Sequence, residues 1–165
     1  MVAMIRPATL ADADRIATIY RPYVTDTVIT FETEPASPGD IEARMRGVWD
    51  KDLPYLVLEE DDVVRGFAYA APYRPKAAYL HSVETTIYLE QGAGGRGLGG
   101  ELYAALIAAL RASHAHSAIS LIALPNDASV GMHRTSGWRE VGVLKEAGWK
   151  LGSWIDVIYF QLDVS

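Results

Sequence analysis

The chain has 165 residues, half of them hydrophobic and 22% charged, which is the balance of one globular domain (residues 1–165) with a sizeable core rather than of a disordered chain. A net charge of −6 disfavours nucleic acid or an anionic membrane as the main partner, and the lack of cysteine excludes a disulfide frame, a thiolate metal site and a covalent cysteine intermediate. No apolar stretch has the length of a signal peptide or a membrane span, so a cytoplasmic protein is expected.

Residues 4–8 read as a short first strand. Residues 11–25 put Ala13, Ile16, Ala17, Ile19, Tyr20 and Tyr23 on one helical stripe, with Thr9 as cap and Asp12 at the capping-box position. Residues 27–35 are polar and aromatic and read as a loop turned toward a site. Ser37, Pro38 and Asp40 open a second helix that runs to about Asp50, with a serine cap and a proline at the first helical position. Residues 55–59 and 63–71 form an antiparallel hairpin around Glu60, Asp61 and Asp62. A basic loop leads to a long strand at 79–89. A helix over 98–113, a buried strand over 117–123, a short helix after Asn126 and strands at 137–144 and 154–162 follow. The order predicts an α/β (α+β) fold, a mixed and mostly antiparallel sheet of about seven strands flanked by about four helices.

Residues 91–100 hold six glycines in ten positions, between a strand and a helix start. Such a turn cradles phosphate: backbone N–H groups point outward, the helix dipole favours negative charge, and missing Cβ atoms allow close approach. Gly95, Gly97 and Gly100 have dinucleotide-motif spacing, yet the next strand ends without an acid, and no repeating βαβ pattern exists. A Walker lysine is absent. A bare flexible turn is the bland alternative. Against it, Gly99 and Gly100 lie inside the first helical turn, where each costs about 1 kcal/mol relative to alanine.

Arg96, Gly97, Leu98 and Gly99, following the strand from Val83 to Leu89, resemble motif A of the GNAT N-acetyltransferases. Asn126 to Trp138 resembles the next motif of that family, and the resemblance covers essentially the whole chain. It implies a GNAT-like sheet and acetyl-CoA as co-substrate. The implied cofactor-binding residues are Ile87, Tyr88 and Leu89 beside the pantetheine arm and Gly94, Gly95, Arg96, Gly97, Leu98, Gly99 and Gly100 around the pyrophosphate, with Asn126 and Ser129 nearby. One position departs: Gly94 stands where the family carries Gln or Arg, so weaker or looser cofactor binding is expected, with Arg96 still able to meet a phosphate. Within the family, Thr30-Phe31-Glu32, Tyr73-Arg74-Pro75, Tyr79 and the ending around Trp149, Lys150, Trp154 and Asp156 resemble the phosphinothricin and methionine sulfoximine acetyltransferases. That subfamily implies a small amino-acid-like amine as substrate and a homodimer as assembly. Phe31, Glu32, Tyr73, Arg74 and Tyr79 become its substrate-binding candidates. Leu80 departs, because the subfamily often has arginine there.

Glu84 is the candidate base, acting through a water: it lies mid-strand between Val83 and Thr85, in the strand that the resemblance sets beside the cofactor, where partial desolvation would raise its pKa toward values that suit proton removal. His133, two turns along the helix that Asn126 opens, is the candidate acid for the leaving thiolate. With no cysteine, direct attack in a ternary complex is favoured over an acyl-enzyme. His114 and His116 have no accompanying carboxylate cluster, so no metal is expected. Two other readings stay open: acetylation of a protein or peptide amine, and a non-catalytic acetyl-CoA-binding module.

Overall fold

The computed structural model describes residues 2–165. Its elements are β1 (Ala3–Pro7), α1 (Ala13–Asp26), α2 (Pro38–Trp49), β2 (Tyr55–Glu60), β3 (Val63–Pro72), β4 (Ser82–Leu89), α3 (Leu98–Arg111), β5 (Ser117–Ala123), α4 (Asp127–Thr135), β6 (Arg139–Lys150) and β7 (Ser153–Asp163). The seven strands form one sheet in the order β1-β2-β3-β4-β5-β7-β6. Among the described residues only β4 and β5 run parallel.

Local signals account for most boundaries. At α2 the Ser37 hydroxyl accepts from the Asp40 N–H (3.1 Å) while the Asp40 carboxylate accepts from the Ser37 N–H (2.9 Å), a closed capping box. The box expected at Thr9 also forms, but it opens a 3-10 turn at Leu10–Asp12 before α1 begins. There the buried Asp12 carboxylate is also gripped by the Arg6 guanidinium at 2.8 and 2.9 Å. Two expected strands differ in extent. Residues 77–79 form a 3-10 turn, so β4 starts at Ser82 rather than Tyr79. β6 runs on to Lys150, through register shifts at Glu140/Gly142 and Leu144/Gly148 that break the alternation a sequence reading relies on.

Side-chain alternation places the helices on both faces of the sheet. Phe67 on β3 meets Tyr20 of α1 (ring centroids 6.2 Å apart), while a Cβ on its neighbour Gly66 would lie 3.4 Å from Leu102 of α3. The same parity on β4 turns Tyr88 toward Tyr20 and Tyr23 of α1, and Thr85 toward Tyr103 of α3. Glu84 and Thr86 share the Tyr88 face. Leu102, Leu106, Leu110 and Phe160 are fully buried in the core; truncating such a residue to alanine costs roughly 2–5 kcal/mol.

Candidate active site

β4 and β5 are paired at only three positions, Ser82↔Ser117, Val83↔Ala118 and Glu84↔Ile119. Beyond Glu84 they diverge. β4 stays with β3 as far as Leu89, and β5 stays with β7 as far as Ala123. The result is a wedge whose two walls are strand edges, with backbone donors and acceptors that have no partner strand across the gap. A cavity of about 560 Å³ fills it, lined along β4 by Thr85, Thr86, Ile87 and Tyr88 and along β5 by Ser120 to Ala123. Asn126, Ser129 and His133 of the α4 segment close one side. Glu84 lines the apex, at the last paired position.

On the α1 face the cavity is walled by the loop between α1 and α2. Phe31 and Glu32 both line it. Burial alone would raise the Glu32 carboxyl, but two hydrogen bonds from the Arg44 guanidinium and one from the Tyr20 hydroxyl outweigh it and hold the group below its usual range. The loop is also tied to β6. Lys150 is buried, and its Nζ donates to the Thr30 carbonyl at 2.7 Å and to the Tyr23 carbonyl at 3.4 Å. Beside it the Phe31 ring lies on Gly148 so closely that a Cβ there would come within 2.4 Å of two ring carbons. Gly148→Ala is therefore expected to swing Phe31 out of the wall. The amine KM should rise about tenfold, the scale of a displaced aromatic contact, with CoA affinity unchanged. Steady-state kinetics and calorimetry check this; an unchanged amine KM would show that the Phe31 ring does not meet the substrate.

Tyr73, Arg74 and Tyr79 are not brought into that wall. They lie on the exposed loop before β4, where Tyr79 packs edge-on against Tyr73 (5.5 Å) and the Arg74 guanidinium sits 4.4 Å over the Tyr73 ring. Arg74 is near enough for its charge to act on Glu84. Burial raises the Glu84 carboxyl above its usual range, and Arg74 partly opposes this.

His133 is almost fully buried. Its Nδ1 lies 2.7 Å from the Ser129 carbonyl, which can only accept, so Nδ1 carries the proton. Burial lowers the His133 pKa and favours the neutral ring, with the Ser129 bond opposing. Nε2 then accepts from the Tyr103 hydroxyl at 3.0 Å, and the Tyr103 oxygen in turn accepts from the Thr85 hydroxyl at 2.5 Å. Burial pushes the Tyr103 hydroxyl up to about 12. A directed chain Thr85–Tyr103–His133–Ser129 thus crosses from β4 through α3 to α4. This sharpens the expectation for His133: in the neutral state its Nε2 is an acceptor, with no proton to offer the cavity.

The glycine-rich loop follows Leu89. A Cβ on Gly99 would lie 3.5 Å from Leu89 Cδ1 and 3.9 Å from Met132 Sδ, so the loop sits between the end of β4 and α4. Gly95 and Gly97 have φ of 82° and 79°, the left-handed region that favours glycine. Gly97 is the N-cap of α3, and no side chain caps it. The first N–H groups of α3 are thereby left for an anion. A Cβ on Gly94, Gly95, Gly97 or Gly100 would meet nothing within 4 Å, which leaves the backbone approachable. Arg96 points elsewhere: its guanidinium makes two parallel 2.8 Å bonds to the Glu60 carboxylate at the end of β2. The Asn126 side chain accepts from the Ser129 N–H at 3.2 Å, which caps α4. Tyr69, Thr85 and Tyr103 carry no functional signal in the sequence, and Tyr20 shows there only as part of a helical stripe. Thr85 and Tyr103 could have been sought as polar residues on core-facing positions of a strand and its following helix.

The splayed parallel pair thus encloses a cavity with a carboxylate at its apex, and the glycine loop follows the far end of β4, beside α4. The acetyltransferase (GNAT) domain family profile matches residues 5–159. The chain belongs to the GNAT acetyltransferase family. It is 41% identical to the phosphinothricin N-acetyltransferase of Streptomyces coelicolor over 165 residues, 95% of this chain and 94% of that one. It is 32% identical to the L-methionine sulfoximine/L-methionine sulfone acetyltransferase of Pseudomonas aeruginosa, covering 99% of this chain and 96% of the relative. Among solved structures, a GNAT superfamily phosphinothricin acetyltransferase from Sinorhizobium meliloti in complex with AcCoA superposes with a TM-score of 0.95 at 33% identity, over 99% of this chain and 89% of that one. The mixed seven-stranded sheet with its four helices is the fold expected from the sequence. Among the described residues no helix is long and apolar enough to cross a membrane.

Proposed function

We propose that the protein transfers the acetyl group of acetyl-CoA to the amine of a small amino-acid-like substrate of the phosphinothricin or methionine sulfoximine type. The observation that carries this reading is the coincidence of Glu84 with the apex of the β4–β5 wedge. Acetyl-CoA supplies an activated acyl group as its thioester. The unpaired edges of β4 and β5 suit the amides of an extended arm, and the uncapped start of α3 suits a pyrophosphate. Glu84, with its raised pKa, takes a proton from the ammonium, through a water or directly, so that a free amine attacks. Phe31 and Glu32 wall one side of the cavity, which suits a compact acceptor. For His133 we propose the acid step at the leaving sulfur through its imidazolium form alone, since the neutral ring donates its Nδ1 proton to the Ser129 carbonyl and accepts at Nε2 from the Tyr103 hydroxyl. Burial disfavours its imidazolium form, so this contribution grows as pH falls; a kcat flat between about pH 6 and 8 would remove it from that role.

The test is thiol release from acetyl-CoA with amino acids, phosphinothricin, methionine sulfoximine, polyamines and short peptides in parallel. Turnover on amino-acid-like amines is expected. Turnover on peptides alone would overturn the substrate class, and CoA binding without turnover on any amine would leave a binding module.

We also propose a homodimer formed through the β6–β7 hairpin. β6 is an edge strand, and Val141, Trp149, Leu151 and Trp154 are all more than half exposed on this hairpin. An apolar edge of this kind calls for a cover. Light scattering should give twice the chain mass and, for Trp154→Arg, the single mass; a monomeric wild type would refute the assembly.

A further inference from the structure

Between the buried Ala93 and the buried Leu98 the chain reads Gly94-Gly95-Arg96-Gly97. Arg96 carries the only side chain of that stretch. Three glycines there would meet nothing with a Cβ, so the loop has no packing of its own. Its free conformational entropy is high, and a ligand that orders it must oppose that entropy. The Arg96 side chain crosses to β2 and closes a two-pronged pair on Glu60, both bonds 2.8 Å long. The Glu60 side chain is 6% exposed, against 44% for Arg96. The two-pronged, charge-assisted pair must be broken before a bound phosphate can draw Arg96 away. The guanidinium in turn holds the Glu60 carboxyl below its usual range.

We propose that Glu60 is a positioning residue for acetyl-CoA. It acts through Arg96, which serves as a strut that pre-sets the phosphate loop rather than as a phosphate ligand. The strut supplies from β2 the restraint that Gly94 cannot supply from within the loop. Phosphate recognition is then left to backbone N–H groups, and the pair reduces the ordering that binding requires. This rests on the acetyl-CoA reading of the site.

The two roles for Arg96 predict opposite signs for one variant. If Arg96 is a strut, Glu60→Gln loosens the loop: the calorimetric Kd for CoA and the KM for acetyl-CoA should both rise about tenfold, the scale of a lost charge-assisted pair. The kcat at saturating acetyl-CoA and the amine KM should stay at wild-type values, a split that a general folding defect would not give. If Arg96 is a phosphate ligand, Glu60→Gln frees it and CoA binds more tightly. The double exchange Glu60→Arg with Arg96→Glu is the second measurement. It should recover most of the lost affinity for a strut, whereas a phosphate ligand replaced by a carboxylate would abolish binding. Tighter or unchanged CoA binding in Glu60→Gln, or no recovery in the exchange, overturns the proposal. A wild-type chain that binds no CoA at all would instead overturn the acetyl-CoA reading.

Discussion

Glu84→Gln is expected to lower kcat by roughly 10²–10⁴-fold, the usual contribution of a positioned general base. The amide keeps the shape and the polar contact but cannot take a proton. CoA affinity should not change, since the proposed role of Glu84 is toward the amine and not toward the cofactor. Stability should hold or rise slightly at neutral pH. The sign follows from the raised pKa: the folded state binds the Glu84 proton more tightly than the unfolded chain, so this group's contribution to stability is present below its unfolded pKa of 4.5 and is lost as pH rises through the folded value. Removing the carboxylate removes that cost. The pH profile of kcat/KM should also lose its acid limb, displaced upward from a normal glutamate in the wild type. Rapid-mixing kinetics across pH, with a melting curve for each variant, separates the outcomes. A wild-type kcat in Glu84→Gln would exclude the base, and a large fall in melting temperature would mean the carboxylate supports the fold.

Glu84 was legible in the sequence because a charged residue interrupts a β-branched run, and period-two alternation then fixes which face it shares with Thr86 and Tyr88. The α2 cap, the α3 stripe and the glycine loop were legible for the same local reasons. What could not be read lies in long-range pairing. Nothing local says that β4 and β5 part after Glu84, since the gap depends on β5 finding β7 as its partner. The Arg96–Glu60 clasp joins positions 36 apart in sequence, and Lys150 reaches Thr30 across 120. Their charges look like ordinary surface residues until the sheet brings them together. The Tyr73, Arg74 and Tyr79 cluster shows the converse: a local aromatic and basic pattern does not say whether its loop closes over a cavity or lies beside it.

Tyr103→Phe should destabilise the protein by about 1–3 kcal/mol, because it strands two buried groups rather than one. The ring itself can keep its edge-on contacts with His133 (5.1 Å) and Trp138 (5.5 Å), so little packing is lost. What disappears is the hydroxyl that donates to His133 Nε2 and accepts from Thr85, two groups that are themselves almost fully buried. For a chain of this size that corresponds to a melting temperature lower by roughly 2–12 °C. The pH dependence identifies the cause. Burial depresses the His133 pKa, so on acidification the unfolded chain takes up that proton first, near pH 6.5. Stability from this group is complete above pH 6.5 and is lost as pH falls below it toward the folded value. Removing the Tyr103 hydroxyl takes away a donor that favours the neutral ring, so the folded pKa moves back toward normal and the loss on acidification becomes smaller. Tyr103→Phe should thus be weaker than wild type at pH 7.5 and differ from it less at pH 5.5. Denaturant midpoints at both values, with His133→Gln as a reference lacking the titration, check the argument. An unchanged midpoint at pH 7.5 would show that the chain from Thr85 to Ser129 does not hold β4, α3 and α4 together, and an identical acid response in all three proteins would show that His133 does not titrate with folding.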